Sequence, residues 1–267
     1  SRVAALFTYA QVQGAGAIPT LYEVADVHAD LAEFALRALA DRRAHFDHVP
    51  VDVFLDALDR PDPRLRAAPI VGLGRLAGRD AWAVPPGSTT VRLRDEPHPE
   101  RAAIAAALLE LGLPQGLVPP AAGTEGPHAT PDADRIHAHL AVQALVALDA
   151  ADACLAEVDG EHGPLARWAL SRIHSEASVQ GLIAAYDWAI TGWDAGTPAG
   201  DALERELLYA LARLAYREAP YDGSWWWNTR PDTHGPYYKR EAWAWTEHIL
   251  GHLGDVAGEA QDHERPF

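Results

Sequence analysis

The residues best suited to chemistry or recognition gather near the C-terminus, where positions 220–245 read P-Y-D-G-S-W-W-W-N-T-R-P-D-T-H-G-P-Y-Y-K-R-E-A-W-A-W. Five of the nine tryptophans and three of the eight tyrosines fall in these 26 residues. Trp225, Trp226, Trp227, Tyr237 and Tyr238 offer flat rings that stack on sugars, planar groups or cations. Arg230 and Asp232 beside them can bond hydroxyls or carboxylates. Pro220, Gly223, Pro231, Gly235 and Pro236 exclude a helix interior, so an aromatic loop is expected. Two roles compete for it. As a ligand or partner site, its rings face outward on a rigid scaffold, where function concentrates. As a cap, it covers the apolar face that a terminal helical repeat leaves exposed.

Histidine offers a second chemistry. His248 and His252 lie four apart, which on a helix puts both imidazoles on one face and within reach of one metal ion. The glutamate placement of H-E-x-x-H is missing and no third ligand can be named. His137 and His139 are two apart and face different ways on a helix, one packed and one exposed. His45 and His48 flank a turn before Pro50. The single cysteine, Cys154, excludes an intramolecular disulfide and cysteine-based zinc or iron–sulfur sites. In A-A-D-A-C-L-A it reads as a small buried hydrophobe.

Other catalytic constellations are missing from the sequence. There is no G-x-S-x-G, and no Cys–His arrangement with an orienting partner. G-L-G-R-L-A-G at 72–78 mimics a phosphate-binding loop but has no preceding strand and no Lys-Ser/Thr. The formal charge of −16 opposes nucleic acid and anionic membrane surfaces. No apolar run, 102–109 included, is long enough to cross a bilayer. The chain contains no methionine and opens at Ser1, and is read as a processed or excised piece of a longer product.

The elements that must carry these residues are helices. Apolar spacing predicts helices over 2–13, 18–25, 30–42 and 51–58, with a break at Gly14 and Gly16. A further helix restarts in D-R-P-D-P-R-L-R-A-A (59–68) and runs to Leu76, with a kink expected at Pro69. Helices are also predicted over 100–111, 134–148, 150–158, 164–174, 178–191, 201–217 and 241–254. The alternation of Val91 and Leu93 with Arg92 and Arg94 predicts a short extended segment. Residues 114–133 read as a Pro/Gly-rich loop. The expected organisation is therefore N-terminal helical repeats over 1–113, that loop, C-terminal repeats over 134–258 with the aromatic loop at 220–245, and a tail at 259–267. A recurrence of roughly thirty residues per helix pair, from Arg2 to Asp30 to about Asp62, predicts an all-α solenoid of stacked antiparallel pairs.

The stretch P-D-P-R-L-R-A-A-P-I-V-G-L-G-R-L (61–76) resembles a HEAT repeat. In that family the Asp caps a helix start and the Arg bonds a neighbouring repeat. Residues 137–155, 165–174 and 221–238 together resemble the HEAT-repeat region of large secreted proteins of planctomycete type, described as membrane-bound dehydrogenases or haem-binding proteins. The tryptophan motif is the specific part of the likeness. The resemblance implies a propeller before the repeats, a cytochrome c module after them, and an extracytoplasmic, periplasmic setting. This sequence has no C-x-x-C-H, so no cofactor is expected on it; haem is implied only for a flanking module. The expected function is a non-catalytic HEAT-repeat scaffold or interaction module, contacting a protein partner or flanking domains through the tryptophan loop. Two other readings are a carbohydrate-binding module using the same aromatic set, and a HEAT-like DNA glycosylase, which the acidic charge opposes.

Overall fold

The computed structural model describes residues 1–41, 48–78, 97–111, 135–192, 195–219 and 239–263. It is all-α apart from one two-residue ribbon. The chain divides into two compact units, Ser1–Ala169 and Leu170–Phe267. Residues 135–169, which the sequence groups with the C-terminal repeats, pack in the first unit. The predicted extended segment around Val91 and the Pro/Gly-rich stretch 114–133 lie outside the described residues.

In the first unit, α1 (Arg2–Gln13) is followed by a 3-10 turn over Gly14–Ala17 and by α2 (Ile18–Val27). Gly14 stops α1 because its backbone sits at φ 57°, ψ −128°, a conformation side chains resist. Pro19 lies in the first turn of α2, where its missing N–H leaves nothing unpaired. Then come α3 (Ala32–Asp41), α4 (Asp52–Leu58), α5 (Ala67–Ala77), α6 (Arg101–Glu110), α7 (Arg135–Ala147), α8 (Ala151–Ala156) and α9 (Gly163–Leu170). Helix α3 packs on α5 and α5 on α7, while α4 packs on α6 and α6 on α8. Two rows of helices result, joined by α4 against α5 and α6 against α7. Leu36, Phe54, Ile70, Leu73, Ile104, Leu108 and Leu145 fill the space between them, all buried. Burial of such side chains stabilises by about 1.5–3 kcal/mol each.

Pro69 causes no kink. It is the third residue of α5, within the turn whose N–H groups have no intrahelical acceptor in any case. The glycines that mimic a phosphate loop are packing residues inside α5. A Cβ at Gly72 would sit 2.7 Å from the Phe54 ring, and one at Gly74 would meet the Ala144 backbone at 3.0 Å. Glycine here lets α5 close on α4 and α7.

Arginines tie these helices at their ends. Arg60 Nη1 donates to the Ala25 carbonyl at 2.6 Å, and Arg75 Nη1 to the Ala40 carbonyl at 2.7 Å. Arg101 donates to the Asp149 carbonyl and Arg167 to that of Val158. Ala25 and Ala40 lie in the last turns of α2 and α3, where carbonyls lack intrahelical donors and carry the negative end of the dipole. Asp149 and Val158 lie in the turns just past α7 and α8. Asp149 follows α7 with φ 53°. Its N–H and that of Ala150 bond back to the Val146 and Leu145 carbonyls, closing a Schellman turn. In 61–76, by contrast, Asp62 and Arg64 bond each other, at 2.7 Å between Oδ2 and Nη2. Asp62 Oδ1 also accepts the Arg64 N–H, so the hydrogen bonds of this pair are local.

The second unit holds α10 (Glu176–Thr191), α11 (Pro198–Leu214), the strands β1 (Arg217–Glu218) and β2 (Arg240–Glu241), and α12 (Thr246–His263). Ser175 caps α10 by accepting the Ser178 N–H, and Thr197 caps α11 ahead of Pro198. Helix α11 packs on both α10 and α12. Its buried Leu207, Ala210, Leu211 and Leu214 recur at i, i+3, i+4 and i+7, one apolar stripe on an otherwise polar helix. Helix α12 begins later than the sequence suggests, because Arg240 and Glu241 belong to a strand. It also continues through Gly251 and Gly254 to His263.

Candidate functional site: the stem of the tryptophan-rich segment

Trp225, Trp226, Trp227, Arg230, Asp232, Tyr237 and Tyr238 lie outside the described residues. The residues that hold the two ends of their segment are described, and they form a built stem. Strands β1 and β2 pair antiparallel, with Arg217 opposite Glu241 and Glu218 opposite Arg240. Each strand reads R-E and is followed by Ala, at 217–219 and 240–242. Antiparallel pairing of two identical R-E dipeptides puts opposite charges face to face twice, which favours this register. Arg217 Nε donates to Glu241 Oε1 at 2.5 Å. Beyond the pairs, the Ala219 N–H donates to the Lys239 carbonyl at 2.8 Å. The two residues that flank 220–238 are therefore held side by side.

The stem is fastened to the helices beneath it. Helix α11 ends at Leu214, and Trp243 Nε1 donates to the Leu214 carbonyl at 2.7 Å. Thr246 Oγ1 donates to the next carbonyl, that of Ala215, at 2.6 Å, and accepts the Trp243 N–H at 2.9 Å. One buried hydroxyl thus fixes both the end of α11 and the start of α12. The His174 ring meets Trp243 edge-on, with centroids 5.3 Å apart. Its Nε2 lies 3.1 Å from the Tyr216 carbonyl and its Nδ1 3.3 Å from that of Arg172, and a neutral ring can donate to one of the two. Arg240 lies over the Tyr216 ring, 5.7 Å from its centroid. Such contacts contribute on the order of 0.5–1 kcal/mol at exposed sites.

His248 and His252 do fall on one helix, α12, but each ring has its own aromatic neighbour. His248 meets Trp245 edge-on at 5.1 Å, and His252 meets Tyr186 edge-on at 5.5 Å. Among the described residues no group of three or more His, Cys, Asp or Glu side chains is placed to hold a metal ion. His137 is half-buried, while His139 is exposed with its ring 6.4 Å from that of Trp168. Cys154 is fully buried, and burial pushes its thiol up to about 12. The neutral thiol is then the form present, and it is no nucleophile. Among the described residues no helix is long and apolar enough to cross a membrane.

Sequence reasoning passed over His174, Tyr216, Arg217, Glu241 and Thr246. The signal that could have found the stem is the pair of R-E-A tripeptides flanking the aromatic stretch. The twin dipeptides are self-complementary only when run antiparallel. No protein-family model matches the chain, and no curated protein matches it.

Proposed function

We propose that this chain is a non-catalytic interaction module: a HEAT-like α-solenoid that presents its tryptophan-rich segment to a protein partner or to flanking domains. The observation that carries this reading is the stem. A paired ribbon, locked to α11 and α12 by Trp243 and Thr246, supports the segment from a rigid base. Recognition surfaces gain from such bases, because an ordered base lowers the entropy lost on binding. The two rows α3–α5–α7 and α4–α6–α8 support the solenoid part of the proposal for the first unit, since stacked helix pairs contact their neighbours in that way. The extracytoplasmic redox setting rests on the resemblance of the tryptophan motif to the secreted HEAT-containing proteins. In that setting any haem belongs to another module.

Replacing Trp226 and Trp227 by alanine tests the reading. The expected result is an unchanged melting temperature together with loss of the proteins that cross-link to the wild-type chain in an extract of its own cells. A lower melting temperature with every cross-link retained would make the segment a purely structural cap. Quenching of tryptophan fluorescence by one member of a polysaccharide panel would move the assignment to a carbohydrate-binding module.

A further inference from the structure

A second surface runs along α11 into the stem. Arg205, Tyr209 and Arg213 follow at intervals of four residues and so share one helical face. Tyr216 continues the line just past the helix end. All four are exposed, Tyr209 to 65% and Tyr216 to 39%. Arg240 lies over Tyr216 at the stem end of this line. Arg172, in the turn after α9, is half-buried beside Arg213, and its Nε is closed off from solvent with no acceptor among the described residues.

The cations on this face have no carboxylate partner among the described residues, as is also true of Arg37, Arg66 and Arg101. Arg2, Arg60, Arg64, Arg75 and Arg217 each sit within 4.0 Å of a carboxylate oxygen. Arg172, Arg205, Arg213 and Arg240 make no ion pair among the described residues, although the protein carries 38 acidic residues against 22 Lys and Arg. Burial, then the neighbouring Arg213 charge, lowers the Arg172 pKa, so two like charges are held together with no carboxylate beside either among the described residues. An arriving anion would relieve that repulsion. Arginine and tyrosine are also the residues that dominate protein–protein hot spots. They supply planar bidentate donors and ring area at small entropic cost.

We propose that the arginine–tyrosine face of α11 docks an acidic peptide segment of a partner protein, with its carboxylates on Arg205 and Arg213 and its chain laid over Tyr209 and Tyr216. Charge complementarity selects this occupant. The net charge of −16 repels any polyanion at long range. What favours an acidic peptide is short-range pairing of single carboxylates with these arginines while its chain lies on the two tyrosine rings. The inference rests on the interaction-module reading but uses residues other than those of the tryptophan-rich segment, so the two are tested by different variants.

A labelled oligoglutamate peptide, long enough to cover the roughly 17 Å from Arg205 to Tyr216 at about 1.5 Å per residue, is titrated with the protein by fluorescence anisotropy. Binding is expected, and it should weaken as salt rises from about 0.05 to about 0.2 M. The Arg205→Glu plus Arg213→Glu double variant should lose at least ~10-fold in affinity, and Tyr209→Ala should weaken binding with its melting temperature unchanged. The Trp226→Ala plus Trp227→Ala variant should bind the peptide as wild type does. If the charge reversal disturbs the circular dichroism, Arg213→Gln replaces it and must still weaken binding. Undiminished binding in the arginine variants overturns the proposal, as does no binding at low salt. Tighter binding of an oligothymidylate of equal length would reassign the face to nucleic acid. Self-association abolished by the same variants would reassign it to a second copy of this chain.

Discussion

The indole N–H of Trp243 donates to the carbonyl of Leu214 at 2.7 Å, joining a residue two past the ribbon to the last residue of α11. Leu214 is itself fully buried. The end of the helix and the exit of the tryptophan-rich segment are thereby one joint. Removing only the donor isolates its contribution. Trp243→Phe keeps a ring against His174 but leaves the carbonyl without its partner, and should lower stability by about 1–2 kcal/mol. Chemical denaturation of the two proteins checks this, with far-ultraviolet circular dichroism unchanged at zero denaturant.

Gly72 and Gly16 separate close packing from mere flexibility. Gly72→Ala drives a methyl group to 2.7 Å from the buried Phe54 ring and should cost about 1–3 kcal/mol. Phe54→Leu should restore part of that loss when combined with it. Gly16 has nothing within 4 Å of a built Cβ, so Gly16→Ala should be neutral or stabilising by up to about 1 kcal/mol. Melting temperatures of the three variants give the order.

Gly14 tests backbone conformation alone. At φ 57° and ψ −128° an alanine is strained whatever space surrounds it, and Gly14→Ala should cost on the order of 1–3 kcal/mol. The loss should appear as a lower denaturation midpoint with the slope unchanged.

Cys154 should resist thiol reagents near neutral pH in the native protein and react with one equivalent once guanidinium unfolds it. Burial raises the thiol from its ordinary 9.0 to about 12, so the native state holds a proton that the unfolded chain releases. The stabilisation from this group is whole below pH 9.0 and is lost as pH rises toward about 12. Cys154→Ala should flatten that alkaline loss. Rapid labelling of the native protein at neutral pH would contradict the burial.

Local signals carried most of the helices. The apolar spacing of 2–13 and the glycine after it gave the bounds of α1 directly, and Pro19 marked the first turn of α2. Errors came where two rules compete. Pro69 reads as a kink until its place in the first turn of α5 is known, and Glu241 reads as a helix start until its partner strand is found. Thr197-Pro198 announced the start of α11 three residues before the periodic pattern does. The arginine-to-carbonyl ties were illegible for a different reason. A backbone carbonyl carries no residue identity, so nothing in the sequence marks Ala25 or Ala40 as an acceptor. The stem lay in between, since its twin R-E-A tripeptides are visible but gain meaning only once pairing direction is known.

Because Ala219 and Lys239 are hydrogen-bonded neighbours, the stretch of nineteen positions from 220 to 238 is bounded by two residues held side by side. Its removal leaves two ends already at bonding distance, which a two-residue hairpin turn can join without moving either strand. Evolution or a protein engineer can therefore change the length of that stretch while the paired ends keep their register.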